Sequence, residues 1–344
     1  EDPQVLAIKQ TLYRVGGDSP VVKALQLAAE NGKQVTVIVE IKARFDEERN
    51  IAWARQLEES GAHVVYGIAG LKIHCKALLI IRREEGRIHR YRHLSTGNYN
   101  DRTARLYTDI GMFVSNPDIC TDVAALFNVM TGYAVPPQWR VLAVAPFNLR
   151  ERFLELIDRE ARLSRPHRPG HIIAKLNSLV DPEIIEHLYL AARAGVNVQL
   201  IVRGICCLRP GKGSQNIEVV SVIDRYLEHS RIYYFDNGGN SEYFRSSADW
   251  MQRNLDRRIE ILFPVGDRET RELLDAVLQF HLEDRRKGRR LKRDGTYTKV
   301  NMSRPGTRSQ RRIYERFRER VEETEHEIPA AKLQVMRNVR EPGV

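Results

Sequence analysis

The stretch LKIHCKALLII at residues 71–81 decides how this chain is interpreted, because EHSRIYYF at residues 228–235 repeats its pattern. Each stretch places a histidine two residues before a cation: His74 and Lys76 in the first, His229 and Arg231 in the second. An apolar run typical of a buried strand then follows. Side chains at i and i+2 of a strand point to the same face, so we expect each histidine to lie beside its cation. An imidazole next to a fixed cation can attack an anionic phosphorus centre or give it a proton, so the pattern predicts a phosphate-handling site.

A turn that begins with Ser or Thr residues, and later a carboxylate, follow each of these apolar runs. The first turn reads STGN at residues 95–98 and precedes Asp109, whereas the second reads SSAD at residues 246–249 and precedes Glu260. Eleven residues separate the last residue of each turn from its carboxylate. A carboxylate hydrogen-bonded to a histidine fixes the tautomer of the imidazole, so we expect Asp109 and Glu260 to orient the histidines rather than react.

Two helix–strand units upstream of the histidines have the same types of residue at the start and end of their helices. Ser19-Pro20 and Asp181-Pro182 are typical of helix starts, and Gly32 and Gly195 of helix ends. In both units an apolar strand ends eight residues after the glycine. The sequence therefore predicts an α/β protein with two similar halves, each strand–helix–strand and then the histidine strand. Two unrelated α/β units whose signals coincide are the alternative.

Proline-rich stretches near the middle of the chain predict a domain boundary. Residues 134–138 read AVPPQ and residues 145–148 read APFN, and both interrupt the apolar periodicity. The predicted organisation is a first domain at residues 1–135 carrying His74, a linker at 136–148, a second domain at 149–284 carrying His229 and a basic extension at 285–344.

Positive charge is concentrated near the end of the chain. Residues 285–320 contain 15 Lys and Arg against 3 Asp and Glu, a net charge of +12, whereas the whole chain carries +10. Glycines and prolines in this segment prevent one long helix before about Ser309. The segment is either a solvated tail or an electrostatic path for a polyanion, that is, nucleic acid or polyphosphate. Its few aromatic residues argue against single-stranded nucleic acid.

Composition limits the class of protein. No apolar run exceeds five residues, which excludes a membrane-spanning helix. The four cysteines have neither metal-site spacing nor a disulfide framework, so we expect a cytoplasmic protein. Cys75 lies between the two motif residues and should point into the core. The chain begins with Glu1 rather than Met, as a fragment of a longer protein would.

The motifs carry a resemblance to known families. His-x-Lys followed by STGN resembles the phospholipase D superfamily, in which two such motifs meet across a pseudo-two-fold axis, although Ile81 stands where that family has an acidic residue. Longer words narrow the resemblance: HLSTGNYN at 93–100, TARLYTDIG at 103–111, IDRYLEH at 223–229 and SSADWM at 246–251. Together they resemble the catalytic C-terminal half of the polyphosphate kinase family, from about Leu12 to Tyr297.

The resemblance implies a fold and an activity. It implies two phospholipase D-like domains, each a mixed sheet flanked by helices, related by pseudo-two-fold symmetry. It also implies reversible transfer of the ATP γ-phosphate to the end of polyphosphate through a phosphohistidine on His74. His229 would be a general acid/base or a phosphate clamp. The implied partners are ATP, ADP and polyphosphate without nucleic acid, and the full-length protein would be a homo-oligomer.

Further site residues follow from chemistry and from the resemblance. The residues expected to bind phosphate or nucleotide are Lys76, Asn98, Tyr107, Arg203, Arg231 and Arg258. Magnesium is the implied cofactor, and Arg14 and Arg44 would hold the phosphates that it bridges, because a guanidinium cannot ligate a metal. We expect both histidines to face each other where the halves meet.

Two other functions remain open from the sequence. A phospholipase D-like phosphodiesterase or nuclease would use the same histidines, but its second half should keep Lys and Asn where this chain has Arg231 and Asp249. The non-enzymatic hypothesis is a module that binds a polyanion and has lost its catalytic site. We expect a phosphoryl label on His74, because only His74 has the full set of Lys76, Asn98 and Asp109.

Overall fold

The computed structural model describes residues 1–13, 15, 19–40, 47–132, 134–211, 214–300 and 306–327. The first half contains strands β1 (Val5–Leu12), β2 (Gln34–Val39), β3 (His63–Tyr66), β4 (Lys72–Ile73), β5 (Lys76–Glu84), β6 (Arg87–Ser95), β7 (Tyr107–Thr108) and β8 (Gly111–Val114). Its helices are α1 (Pro20–Glu30), α2 (Glu47–Glu59), α3 (Asp101–Ala104) and α4 (Pro117–Met130).

The second half is larger. Its strands are β9 (Ala143–Ala145), β10 (His171–Leu176), β11 (Asn197–Val202), β12 (Ile217–Val222), β13 (Leu227–Glu228), β14 (Ile232–Phe235), β15 (Glu242–Ser246), β16 (Arg258–Val265), β17 (Gly288–Leu291) and β18 (Tyr297–Lys299). Its helices are α5 (Leu149–Leu163), α6 (Pro182–Arg193), α7 (Gln252–Arg257), α8 (Arg268–Leu282) and α9 (Ser309–Glu327). None of the described helices combines the length and apolar content that a membrane crossing needs.

Both halves build a mixed sheet from the same sequence of units. The first sheet has the order β3-β2-β1-β5-β6-β8, parallel from β1 to β3 and antiparallel from β1 to β8 through β5 and β6. The second has the order β18-β17-β12-β11-β10-β14-β15-β16-β4, with β9 also paired to β16. Strands β10, β11 and β12 are parallel, and β10, β14, β15 and β16 are antiparallel neighbours. The α/β fold with two mixed sheets flanked by helices is thus confirmed.

The predicted helix starts are confirmed at both repeats. Ser19 caps α1 by accepting a hydrogen bond from the Val22 N–H, and Asp181 caps α6 by accepting one from the Ile184 N–H. A proline follows each cap in the first turn, where its missing N–H costs nothing.

Two pairs of short strands connect the halves. Strand β4 pairs in parallel with the start of β16, and β7 pairs in parallel with β13. His74 and His229 come directly after β4 and β13, so both lie in a break between strands and not within a strand as the sequence predicted. The reason is that the backbone changes sheets at these points. After β4 it passes from the second sheet to the first, and after β13 it passes from the two-stranded β7–β13 sheet to the second sheet. In both breaks two successive N–H groups share one carbonyl of the opposite half, that of Ile259 or Thr108.

An apolar cluster joins the halves. It contains buried residues of β5 and α4, such as Leu79 and Phe127, together with Ile259, Ile261 and Phe263 of β16. Cys75 is 1% exposed and belongs to this cluster, as predicted. Burying a side chain of this size contributes about 1.5–3 kcal/mol, so separating the halves would be costly.

Three strands lie within the stretches that the sequence analysis assigned to the linker and to the basic extension. Strand β9 lies inside the stretch 136–148 expected to be a linker, because the buried residues Ala143, Val144 and Ala145 suit a strand and the prolines only flank it. Strands β17 and β18 lie in the basic segment but extend the second sheet at its edge. Helix α9 begins at Ser309, as the glycines and prolines predicted. The domain limits at 135 and 284 stay a prediction, and residues 328–344 lie outside the described part of the chain.

Candidate active site

His74 is oriented by a buried carboxylate. Its Nδ1 lies 2.8 Å from Oε1 and 2.9 Å from Oε2 of Glu260, which is fully buried. The side chain of Asn254 donates a hydrogen bond to Oε1 of Glu260 at 2.6 Å and so fixes the carboxylate in turn. The Tyr13 ring meets the imidazole edge-on, with 5.2 Å between ring centroids. When Glu260 is ionised, Nδ1–H donates to it and the lone pair on Nε2 is available to react.

His229 has the corresponding arrangement. Its Nδ1 lies 2.7 Å from Oδ1 of Asp109, and the Thr96 hydroxyl donates to the same carboxylate at 2.7 Å. The Tyr107 ring lies 5.2 Å from the imidazole between centroids. The difference is at Nε2, which accepts a hydrogen bond from Nη1 of Arg231 at 3.3 Å. Among the described residues, none donates to Nε2 of His74.

The orienting carboxylates are exchanged between the halves. Glu260 of the second half holds His74 of the first, and Asp109 of the first half holds His229 of the second. The expectation that Asp109 belongs with His74 is therefore wrong. The strand pairs β4–β16 and β7–β13 are the physical reason, since they bring His74 next to β16, which contains Glu260, and His229 next to β7, which Asp109 follows.

The two motif cations differ in how they are neutralised. Lys76 is 2% exposed and donates to the carbonyl of His74, and Arg231 is 3% exposed and donates to the carbonyl of His229. Arg231 also pairs with both oxygens of Asp249 at 3.0 and 3.2 Å. Among the described residues, Lys76 forms no ion pair within 4 Å. The charge of Arg231 is thus opposed by a carboxylate in direct contact, whereas the charge of Lys76 is not.

Burial and charge keep both imidazoles neutral. Burial lowers the pKa of His74 well below its usual value, and the charges of Lys76, Arg258 and Arg231 lower it further. The pKa of His229 falls to about 4 through burial and Arg231, against the opposing effect of Asp109. His229 also lowers the pKa of His74, so the two rings lie within electrostatic reach of each other.

The two carboxylates differ in their protonation. Burial raises the pKa of Glu260 to about 7, although Lys76 and Arg258 oppose this. Burial also opposes ionisation of Asp109, but the hydrogen bond and charge of His229 prevail and its pKa is lowered. Burial lowers the pKa of Lys76 to about 8. Groups with such perturbed pKa values in one place are typical of a reacting site.

The remaining predicted site residues lie at different distances from the histidines. Arg203 donates to the carbonyl of Glu228 at 2.8 Å and to Asn177, and Nη1 of Arg258 lies 3.9 Å from Glu260. The Oδ1 atom of Asn98 is buried and accepts no hydrogen bond from any described residue. The predicted magnesium-associated residues Arg14 and Arg44 lie outside the described residues.

The sequence reasoning missed four supporting residues. They are Tyr13 against His74, Asn254 and Ser247 next to Glu260, and Thr96 next to Asp109. Thr96 and Ser247 occupy the same position in the two turns, and each accepts a hydrogen bond from the N–H that follows the carboxylate. That repeat was visible in the sequence, whereas nothing in it pointed to Tyr13 or Asn254.

The described residues include no group of three or more His, Cys, Asp or Glu that could enclose a metal ion.

Comparison with known proteins assigns the family. Residues 1–136 match the model "Polyphosphate kinase C-terminal domain 1" and residues 142–311 match "Polyphosphate kinase C-terminal domain 2". A polyphosphate kinase of Bacillus anthracis is 55% identical over 299 residues, which are 86% of this chain and 43% of that protein. The chain thus spans less than half the length of this curated relative.

Comparison with solved structures gives the same family and fold. The crystal structure of polyphosphate kinase from Porphyromonas gingivalis superposes with a TM-score of 0.85 at 41% identity, covering 94% of this chain and 50% of that one. A phosphatidylserine synthase of Haemophilus influenzae shares only the fold, with a TM-score of 0.57 at 10% identity over 93% of this chain and 89% of that one. With both family models matched in order over most of its length, the chain belongs to the polyphosphate kinase family.

Proposed function

We propose that this chain carries out reversible transfer of the γ-phosphate of ATP to the end of polyphosphate, through a phosphohistidine on His74. The observation that carries the proposal is the state of the His74 ring. Its Nδ1 is held by Glu260, its pKa is lowered by burial and by the cations around it, and its Nε2 has no partner among the described residues. Such a ring is a neutral nucleophile facing a positively charged site.

In the first step the Nε2 lone pair attacks the γ-phosphorus. The N–P bond forms while the bond from that phosphorus to the bridging β–γ oxygen breaks, and ADP leaves with the electron pair. Lys76 and Arg231 would neutralise the equatorial oxygens, which is where charge must be balanced in phosphoryl transfer. The Oδ1 of Asn98 can accept a hydrogen bond from the Nζ of a lysine or from a protonated phosphate oxygen.

In the second step a terminal phosphate oxygen of polyphosphate attacks the phosphorus. The new P–O bond forms, the N–P bond breaks, and the electron pair returns to Nε2 of His74. His229 serves as a phosphate clamp or as a general acid/base. Its Nε2 accepts a hydrogen bond from Arg231. Because one phosphoanhydride replaces another, the overall transfer is reversible.

Magnesium that entered with the nucleotide would supply part of the positive charge that balances the nucleotide phosphates. The described residues contribute the orientation of both imidazoles and the fixed positive charges of Lys76, Arg203, Arg231 and Arg258.

Labelling tests the proposal directly. The chain is incubated with γ-labelled ATP and Mg²⁺, and acid-labile, base-stable label on protein is located by peptide mapping. We expect the label on His74 and its loss in His74→Ala, whereas His63→Ala, at an exposed histidine of β3, serves as the matched control. Label retained in His74→Ala but lost in His229→Ala would reverse the two roles. Hydrolysis of a phosphodiester without any labelling by ATP would favour the phospholipase D-like alternative.

A further inference from the structure

The first turn of α9 contacts the segment that leads into His229. Gln310 is 8% exposed, and its Oε1 accepts a hydrogen bond from the Tyr226 N–H at 3.0 Å. Its Nε2 donates to the Tyr226 carbonyl at 2.8 Å and to Oε1 of Glu228 at 2.7 Å. One side chain thus makes three hydrogen bonds to residues one and three positions before the histidine.

Neighbouring contacts fix this turn of the helix. Arg308 forms a bidentate pair with Asp224, with both distances at 2.6 Å. Both the N–H and the hydroxyl of Ser309 donate to Asp284, at 2.8 and 2.6 Å. Gln310 therefore approaches Tyr226 and Glu228 from a helix start whose own position is set by two buried or partly buried carboxylates.

Glu228 transmits this contact to the histidine. Its carboxylate is 4% exposed and also lies 2.9 Å from Nζ of Lys175, and it accepts the Thr108 hydroxyl at 2.8 Å. Lys175 in turn donates to the hydroxyl of Ser230 at 2.9 Å. The residues on both sides of His229 are therefore held by one buried network, of which Gln310 is the member from α9.

We propose that Gln310 is a positioning residue for His229, which holds the 226–228 backbone so that the imidazole stays between Asp109 and Arg231. Its expected effect on turnover depends on the function proposed above, but its effect on the position of His229 does not. The segment around His74 is held by other contacts. The Ile73 N–H donates to Glu40, the Thr11 hydroxyl donates to the Cys75 carbonyl, and the N–H groups of His74 and Cys75 donate to the Ile259 carbonyl.

The test compares Gln310→Ala and Gln310→Met with Arg311→Ala in the 344-residue chain. The methionine keeps the length of the side chain but makes none of the three hydrogen bonds, so it separates their loss from loss of packing. Arg311 is the next residue of the same helix and has a side chain that is 76% exposed; among the described residues this side chain forms a hydrogen bond only to Glu315. It controls for any general effect of changing this turn.

The first measurement is modification of the histidines by diethyl pyrocarbonate, followed by peptide mass spectrometry well below the unfolding temperature. His74 and His229 have side-chain exposures of 11% and 12%, so His74 is an internal reference of matched accessibility. Both Gln310 variants should raise the modification rate of His229 relative to His74 by about threefold or more, since a loosened segment opens more often. Arg311→Ala should leave the ratio unchanged.

The second measurement is turnover with ATP and polyphosphate. Both Gln310 variants should lower kcat by about tenfold, as expected when a reacting group is displaced by a fraction of an ångström, while KM for ATP stays within about twofold. An unchanged ratio of His229 to His74 modification, or equal changes at both histidines, would overturn the positioning role. A wild-type chain that takes no label from ATP would instead count against the proposed function and leave the modification result standing.

Discussion

The pH dependence of His74 phosphorylation should be controlled by Glu260. A protonated Glu260 donates a hydrogen bond to the Nδ1 lone pair of His74, so the hydrogen of the neutral ring lies on Nε2 and the nucleophilic lone pair there is lost. An ionised Glu260 accepts from Nδ1–H and frees Nε2. Because burial raises the pKa of Glu260 to about 7, this change falls in the neutral range and not near the usual value for glutamate.

The size of the expected change in labelling rate follows from the pKa of Glu260. The reactive form is the deprotonated one, so the labelling rate rises with pH, and each unit below about 7 lowers it about tenfold. Lys76 should limit the rate at the alkaline end, because its pKa is lowered to about 8 by burial and its charge is lost above this. We expect a bell-shaped profile whose two apparent values belong to the coupled group of Glu260, His74 and Lys76.

The assay is single-turnover labelling by γ-labelled ATP between pH 5 and 9, in wild type and in Glu260→Gln. The glutamine Oε1 still accepts from Nδ1–H but does not titrate, so the part of the acid limb due to the protein should vanish even if the plateau falls. Ionisation of ATP itself affects both proteins equally. Asp109→Asn is the matched control, because the pKa of Asp109 is lowered and its removal should leave the acid limb in place. Identical acid limbs in wild type and Glu260→Gln would refute the reasoning.

Two further predictions concern the buried pair and the basic segment. Asp249→Asn leaves Arg231 buried without its carboxylate and should lower the free energy of unfolding in urea by about 3–5 kcal/mol. Adding Arg231→Lys should restore part of this loss. A loss below about 1 kcal/mol in the single variant would contradict the prediction. Charge reversal of Arg286 and Lys287, two basic residues that line a cavity of about 590 Å³ at the start of α9, should weaken binding of long polyphosphate more than binding of short polyphosphate and should reduce its salt dependence. The control is charge reversal of the exposed Arg268. Equal losses for short and long chains would identify this segment as a plain charged surface.

Much of the fold could be predicted from local patterns. The caps Ser19 and Asp181, the start of α9 at Ser309 and the two similar halves all follow from signals carried by neighbouring residues. The inward side of Cys75 followed from its place between His74 and Lys76.

The partners of the histidines could not be predicted in the same way. Spacing along the chain links His74 to Asp109, but 186 residues separate His74 from the carboxylate that holds it. Strands of two residues, such as β4 and β7, are too short to leave a periodic signal, and they create this exchange. Gln310 was overlooked because it is a single polar residue in a segment where charge dominated the interpretation.

The exchange of carboxylates has a consequence for ancestry. A lone half would have a histidine without its orienting carboxylate, so an unfused ancestor could be active only when two copies met, each completing the other. Such a pair would necessarily carry identical motifs on both sides. Joining two such halves in one polypeptide removes that constraint, because each side can then change without altering the other. In this chain the two sides differ, with a lysine and an asparagine on one and an arginine and an aspartate on the other. A division of labour between the two imidazoles is therefore open only to a chain that contains both halves.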